Sequence, residues 1–158
     1  METVAAARIS PAGLAWIVRH TARRPEFWRD LVRFETVDRW YLRLSRDDAH
    51  EVWVLSWLPG QQTGFHDHGE SAGAFAVASG RLIERAAAVG RPETERSGRT
   101  LRTGSVRSFG PRYVHDVRND SIEPAVSIHA YSPPLTSMRR YDLTDRGLLR
   151  FAVEDRSW

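Results

Sequence analysis

The chain has 158 residues, 41% hydrophobic and 27% charged, with a formal charge of +3 at pH 7. That composition supplies enough apolar side chain for a core and excludes a disordered chain. Cysteine is absent, which excludes disulfides, thiolate ligands and a cysteine nucleophile, so any bound metal must be held by His, Asp or Glu.

All 23 residues counted as Lys+Arg are Arg, spread along the chain with no run of five or six like charges. Neither a nucleic-acid tail nor, without an 18-residue apolar run, a membrane span is expected. The start, METVAAARIS, has no basic segment leading into an apolar one. A cytoplasmic, monomeric protein of one domain over residues 1–158 is expected, with a helical cap over 1–37 and a β-barrel over 38–158.

Ser10 followed by Pro11 is a helix-start signal, and Leu14, Ile17 and Val18 recur at helical spacing. Pro25 opens a second short helix with Phe27, Leu31 and Phe34 on one face. His20 reads as a solvated histidine at a helix end. After residue 38 apolar and polar residues alternate, broken by Gly or Pro at intervals of about 8–12 residues. Strands are predicted over 39–45, 51–58, 63–67, 73–79, 81–89, 105–109, 113–119, 124–131 and 148–154. The polar stretch 90–100 reads as an exposed loop. Two helices followed by many short strands predict an all-β barrel or jelly roll with a helical cap.

On the first strand Tyr41 and Arg43 share one face, and Trp40, Leu42 and Leu44 the other. An inward arginine there can clamp a carboxylate with two parallel hydrogen bonds. In GFHDHGES, His66 and His68 are two residues apart, so a strand sends both imidazoles to one side. His115 lies on a later strand that a barrel can bring beside them. Imidazole alone suits Zn, Fe, Ni or Cu. In Val126–Ser132 the alternation puts Ser127, His129 and Tyr131 on one face, where they can form a hydrogen-bonded row. Ile128 and Ala130 fall on the other face.

The spacing of these residues carries a resemblance. Gly60, five residues, His66, one residue, His68 and the later Gly80 resemble the first motif of the cupins. Gly104, ten residues, His115, three residues and Asn119 resemble the second. The resemblance implies a small barrel with a metal inside. Gly73 stands where that first motif usually has a Glu ligand, and Glu70 is three residues too early. Gly110 and Arg112 replace the usual Pro and Gly of the second motif. Three neutral ligands would leave the full ion charge to an anionic, chelating substrate such as a thiolate.

With Tyr41-x-Arg43, His66-Asp67-His68, His115 and Ser127-x-His129-x-Tyr131 before Ser132-Pro133-Pro134, residues 39–142 resemble the cysteine dioxygenases, the thiol dioxygenases of the cupin superfamily. The resemblance implies Fe(II) on His66, His68 and His115, and L-cysteine and O2 as substrates. It implies a substrate carboxylate on Arg43 with Tyr41, a catalytic Tyr131 backed by His129 and Ser127, and a cis Ser132–Pro133 bond. Animal members carry a Cys at the slot of Gly73, cross-linked to the tyrosine matching Tyr131, a bond this chain cannot form. Members preferring 3-mercaptopropionate usually carry Gln at the Arg43 slot. The other readings are a different metal cupin, which leaves the Ser-His-Tyr row unexplained, and a non-catalytic binding cupin.

Overall fold

The computed structural model describes residues 7–87, 98–144 and 147–155. These form one α-helix, two 3₁₀ turns and eleven strands. The helix α1 spans Pro11–Ala22, and its cap is Ser10, whose Oγ accepts from the Gly13 N–H at 3.1 Å. The short second helix expected at Pro25 is instead two 3₁₀ turns, Pro25–Phe27 and Arg29–Leu31. Phe27, Leu31 and Phe34 do not form a buried face and stay half exposed. Trp28 is the buried anchor, packed in the cluster under α1. One large side chain holds the segment, so no helical stripe is needed.

The strands are β1 Tyr41–Arg46, β2 Glu51–Trp57, β3 Phe65–Asp67, β4 Ala72–Ser79, β5 Arg81–Ala87, β6 Arg99–Arg102, β7 Val106–Phe109, β8 Val114–Arg118, β9 Ala125–Ser132, β10 Ser137–Thr144 and β11 Gly147–Asp155. They form two antiparallel sheets, β1-β2-β9-β4-β7 and β11-β10-β3-β8-β5-β6. This is the all-β barrel with a helical cap that the residue pattern predicts. Two strands were not expected. β10 lies where Pro133, Pro134 and a run of polar residues mask the alternation, and β6 begins inside the stretch read as a loop. Residues 88–97, the end of the predicted strand 81–89 and most of that stretch, lie outside the described residues.

The period-2 alternation of the first sheet divides its two faces. Val52, Val54, Ala74, Ala76, Ile128 and Ala130 pack against Leu14 and Val18 of α1. The small alanines let the helix sit close. The opposite face, with Trp53, Trp57, Phe75, Val77 and Tyr131, turns to the barrel interior. Gly80 makes the turn between β4 and β5 at φ +83°, and a Cβ there would meet the Pro124 carbonyl at 2.6 Å. None of the helices of the described residues is long and apolar enough to cross a membrane.

Candidate active site

β3 carries His66, and His68 follows it directly. β8 carries His115, which stands opposite His66 in the β3–β8 register. All three imidazoles are buried, and their candidate ligand atoms lie within 4.8 Å of one another. His66 Nδ1 faces the Gly64 carbonyl at 2.8 Å and His115 Nδ1 faces Glu84 Oε2 at 3.0 Å. Those partners leave the Nε2 atoms for the centre of the cluster, where His66 Nε2 and His68 Nε2 are 3.2 Å apart. Burial, and then the neighbouring histidines, hold His66 and His68 well below the ordinary histidine range, so each presents a lone pair. With Nδ1 of His66 and of His115 engaged elsewhere, their Nε2 atoms converge with the His68 ring on one buried point. The donor set therefore fits a metal ion of the kind imidazole prefers.

No carboxylate joins the set among the described residues. Asp67 points the other way, accepting from Gly69 N–H at 2.9 Å and Tyr141 O–H at 2.7 Å. Glu70 is exposed and faces Arg112 and Arg139. A carboxylate does stand one bond back. Glu84, 2% exposed, holds His115 Nδ1 with one oxygen and Arg107 Nε with the other at 2.8 Å. Burial pushes Glu84 up, but His115 and Arg107 outweigh it and the group stays ionised below its ordinary range. An anion on the far nitrogen fixes the imidazole tautomer and raises its basicity toward an ion. The spacing of the histidines carries no hint of Glu84, because it lies on another strand.

Glu84→Gln keeps the shape and removes the charge. We expect metal affinity to fall about ten- to a hundredfold, read by competition against a chelator of known affinity. An unchanged affinity would reduce Glu84 to a packing residue.

Ser127, His129 and Tyr131 face inward on β9, between β2 and β4. Ser127 Oγ is 2.7 Å from His129 Nε2, and His129 Nδ1 is 3.4 Å from the Tyr131 hydroxyl. The row has an origin that the alternation did not show: Trp57 Nε1–H donates to Ser127 Oγ at 2.8 Å. Tyr131 also lies against His68, with ring centroids 4.7 Å apart. Burial pushes the Tyr131 phenol well above its ordinary range, so it keeps its proton. Burial likewise keeps His129 neutral. The Ser132–Pro133 bond is cis.

Gly73 is paired with Tyr131 across β4–β9 and with Phe109 across β4–β7. A Cβ at Gly73 would lie 3.1 Å from Tyr131 Cδ1 but only 2.5 Å from Phe109 Cε2. The Phe109 ring thus occupies the room a side chain at 73 would need. Gly73→Ala should destabilise the fold by about 1–3 kcal/mol, the usual cost of overpacking. Phe109→Leu in the same chain should recover part of it. Urea midpoints of the two variants check this, and a neutral Gly73→Ala would contradict the crowding.

The cluster opens into a cavity of about 630 Å³, whose wall includes Tyr41, Trp53, His129, Tyr131, Arg39 and Arg140. Tyr41, half exposed, packs edge-on against Trp53. Arg43 is not in that wall. Its Nη1 is 3.7 Å from Glu51 Oε2, and its guanidinium lies over the Trp53 ring. Arg140 is held by Glu154 at 2.8 Å and by the Thr63 carbonyl at 3.1 Å. Arg39, unremarked in the sequence pattern, reaches the cavity from just before β1.

Solved structures share this fold at low identity. A protein from Thermus thermophilus matches with TM-score 0.58 and 20% identity, over 67% of this chain and 93% of that one. A Klebsiella pneumoniae protein with a double-stranded β-helix domain matches with TM-score 0.57 and 20% identity, over 66% and 85%. A cupin superfamily protein from Desulfitobacterium hafniense gives 0.54 and 10%, over 69% and 90%. In sequence, the chain is 31% identical over 130 residues to "Cysteine dioxygenase type 1" of Danio rerio, covering 75% of this chain and 63% of that protein. The profile described as "Cysteine dioxygenase type I" matches residues 3–144. A three-histidine cluster in a cupin barrel, with that profile across nearly the whole chain, establishes that the chain belongs to the cysteine dioxygenase type I family.

Proposed function

We propose that this protein is an Fe(II)-dependent thiol dioxygenase that converts L-cysteine to cysteine sulfinic acid. The observation that carries the reading is the contact between the three-imidazole cluster and the Ser127–His129–Tyr131 row, through Tyr131 against His68. Metal-binding alone would not require that row.

His66, His68 and His115 would hold the iron. Bound there, iron would supply the redox chemistry between the substrate thiolate and O2. Both oxygen atoms go to sulfur, so the thiolate becomes a sulfinate, O2 accepts the four electrons, and no further reductant is needed. Three neutral ligands leave the ion's double charge to be balanced by the substrate, which favours an anionic thiolate.

The residues of the chain prepare the space. Trp57 Nε1–H can only donate, so Ser127 Oγ accepts it and turns its own proton to His129 Nε2. His129 then carries its proton at Nδ1, toward the Tyr131 oxygen. The Tyr131 hydroxyl proton is left to point at a ligand in the cavity. Tyr131 thus acts as the donor, while His129 and Ser127 position it. By the family resemblance Arg43, with Tyr41, would take the substrate carboxylate; Tyr41 lines the cavity, and Arg43 lies on the same face of β1 just outside its wall.

The test is metal analysis with O2 uptake on a thiol panel: L-cysteine, 3-mercaptopropionate and 2-aminoethanethiol. Iron bound to the protein, and one sulfinate formed per O2 consumed with L-cysteine, are expected. An iron-loaded protein that consumes no O2 with any of these thiols would exclude the reading. Preference for 3-mercaptopropionate would keep the chemistry and change the substrate.

A further inference from the structure

We propose that Arg107 is a positioning residue for the metal centre: it holds Glu84 on His115 and so makes His115 the strongest of three unequal imidazole ligands. The assignment rests on the metal-site part of the thiol dioxygenase reading and deepens it.

The three imidazoles differ in what stands behind them. His66 Nδ1 has a neutral partner, the Gly64 carbonyl at 2.8 Å. His68 Nδ1 is buried without a hydrogen-bond partner. His115 Nδ1 has a carboxylate, Glu84 Oε2 at 3.0 Å. A hydrogen bond to an anion is roughly twice as strong as one to a neutral acceptor. It draws the Nδ1 proton away from the ring, so Nε2 offers more electron density to an ion. Donor strength therefore falls in the order His115, His66, His68.

Arg107 decides whether Glu84 keeps that place. Glu84 is on β5 in the second sheet and Arg107 on β7 at the edge of the first, so their pair bridges the two sheets. Glu84 Oε1 accepts the Arg107 Nε–H at 2.8 Å while Oε2 faces His115. One donor on each oxygen fixes the orientation of the carboxylate. Aromatic rings wall the site. Tyr113 and Phe109 lie 5.3 and 5.1 Å from the His115 ring, and stack on each other at 4.8 Å between centroids. The Glu84 side chain is 2% exposed and that of Arg107 is 28% exposed, so Arg107 is the member of the chain that reaches water. A carboxylate buried this deeply needs a counter-charge or hydration. Without Arg107, water enters where the guanidinium stood, and Glu84 turns toward it and away from His115. Neither Glu84 nor Arg107 lines the cavity, so the pair acts on the centre from behind His115 and leaves the substrate side unchanged.

The experiment is a cycle of four proteins: wild type, Arg107→Met, Glu84→Gln and the double variant. Co(II) affinity is read by competition of the loaded protein against a chelator, and the Fe(III)/Fe(II) midpoint potential by anaerobic spectroelectrochemistry. Arg107→Met should weaken Co(II) binding about three- to tenfold, less than Glu84→Gln because it acts one residue further out. The potential should rise in both, since an anion behind a ligand favours the more highly charged ion. The double variant should bind Co(II) no more weakly than Glu84→Gln alone, because Arg107 works through Glu84. Arg107→Lys, which keeps the charge but loses the Nε geometry, should fall between wild type and Arg107→Met, and it carries the comparison if the Met variant does not fold. Additive losses in the double variant would overturn the assignment. So would an Arg107→Met protein with a lowered urea midpoint but wild-type affinity and potential, which would make the pair a brace between the sheets. A wild type that retains neither Co(II) nor iron would instead sink the metal-centre reading itself, and this assignment with it.

Discussion

His66→Ala, His68→Ala and His115→Ala should each leave the protein without retained iron and without O2 consumption. The cluster supplies three nitrogens and nothing else among the described residues, so no fourth protein ligand can take over. Metal held by four protein ligands is worth roughly 10–16 kcal/mol, about 3 kcal/mol for each ligand. Losing one ligand of three should thus lower affinity at least about a hundredfold. His115→Ala has a second cost, because Glu84 loses the imidazole that shares its buried site with Arg107. It should be the least stable of the three, by about 1–3 kcal/mol. Iron content after gel filtration, with urea unfolding beside it, measures both effects. Full iron occupancy in any one variant removes that histidine from the ligand set.

Tyr131→Phe should keep iron and lose turnover. The ring that packs on His68 remains, so the ligand shell is undisturbed. What disappears is one hydroxyl donor at the end of the Trp57–Ser127–His129 chain. A hydrogen bond to a developing charge in a buried site contributes roughly 1.5–3 kcal/mol, so kcat should fall about ten- to a hundredfold. His129→Ala should show a smaller drop, since it acts through the orientation of Tyr131. Ser127→Ala should be milder again, with Trp57 losing its acceptor as the stability cost. Steady-state kinetics and iron stoichiometry on the same preparations separate the two effects. Unchanged kcat in both Tyr131→Phe and His129→Ala would make the row ordinary packing on an inward strand face.

The repeat-of-two pattern makes most of this site legible in the residues alone. His66 and His68, or Ser127, His129 and Tyr131, each lie close along one stretch of chain, and the pleat sends alternate side chains the same way. The helix cap at Ser10 is equally local, as are the glycine turns. β10 is hidden because its residues are mostly half-buried and polar, so the alternation carries no hydrophobic signal. The second helix is misleading for a related reason: a stripe of Phe27, Leu31 and Phe34 looks amphipathic, yet the core takes Trp28 from that segment, with Val32 packed at its edge.

The barrel, the strand faces, the histidine cluster and the absence of a carboxylate at position 73 can all be read from the chain. Each depends on residues near one another in sequence or on motif spacing. What stands across from them is settled when the strands assemble. Glu84 reaches His115 because β5 pairs with β8, and Trp57 reaches Ser127 because β2 pairs with β9. Phe109 fills the space above Gly73 because β7 pairs with β4. Arg43 sits beside the buried carboxylate of Glu51, a neighbour its spacing from Tyr41 does not show. Hydrogen bonds and charge pairs between strands far apart in sequence depend on register, and register is set by the packing of the whole barrel.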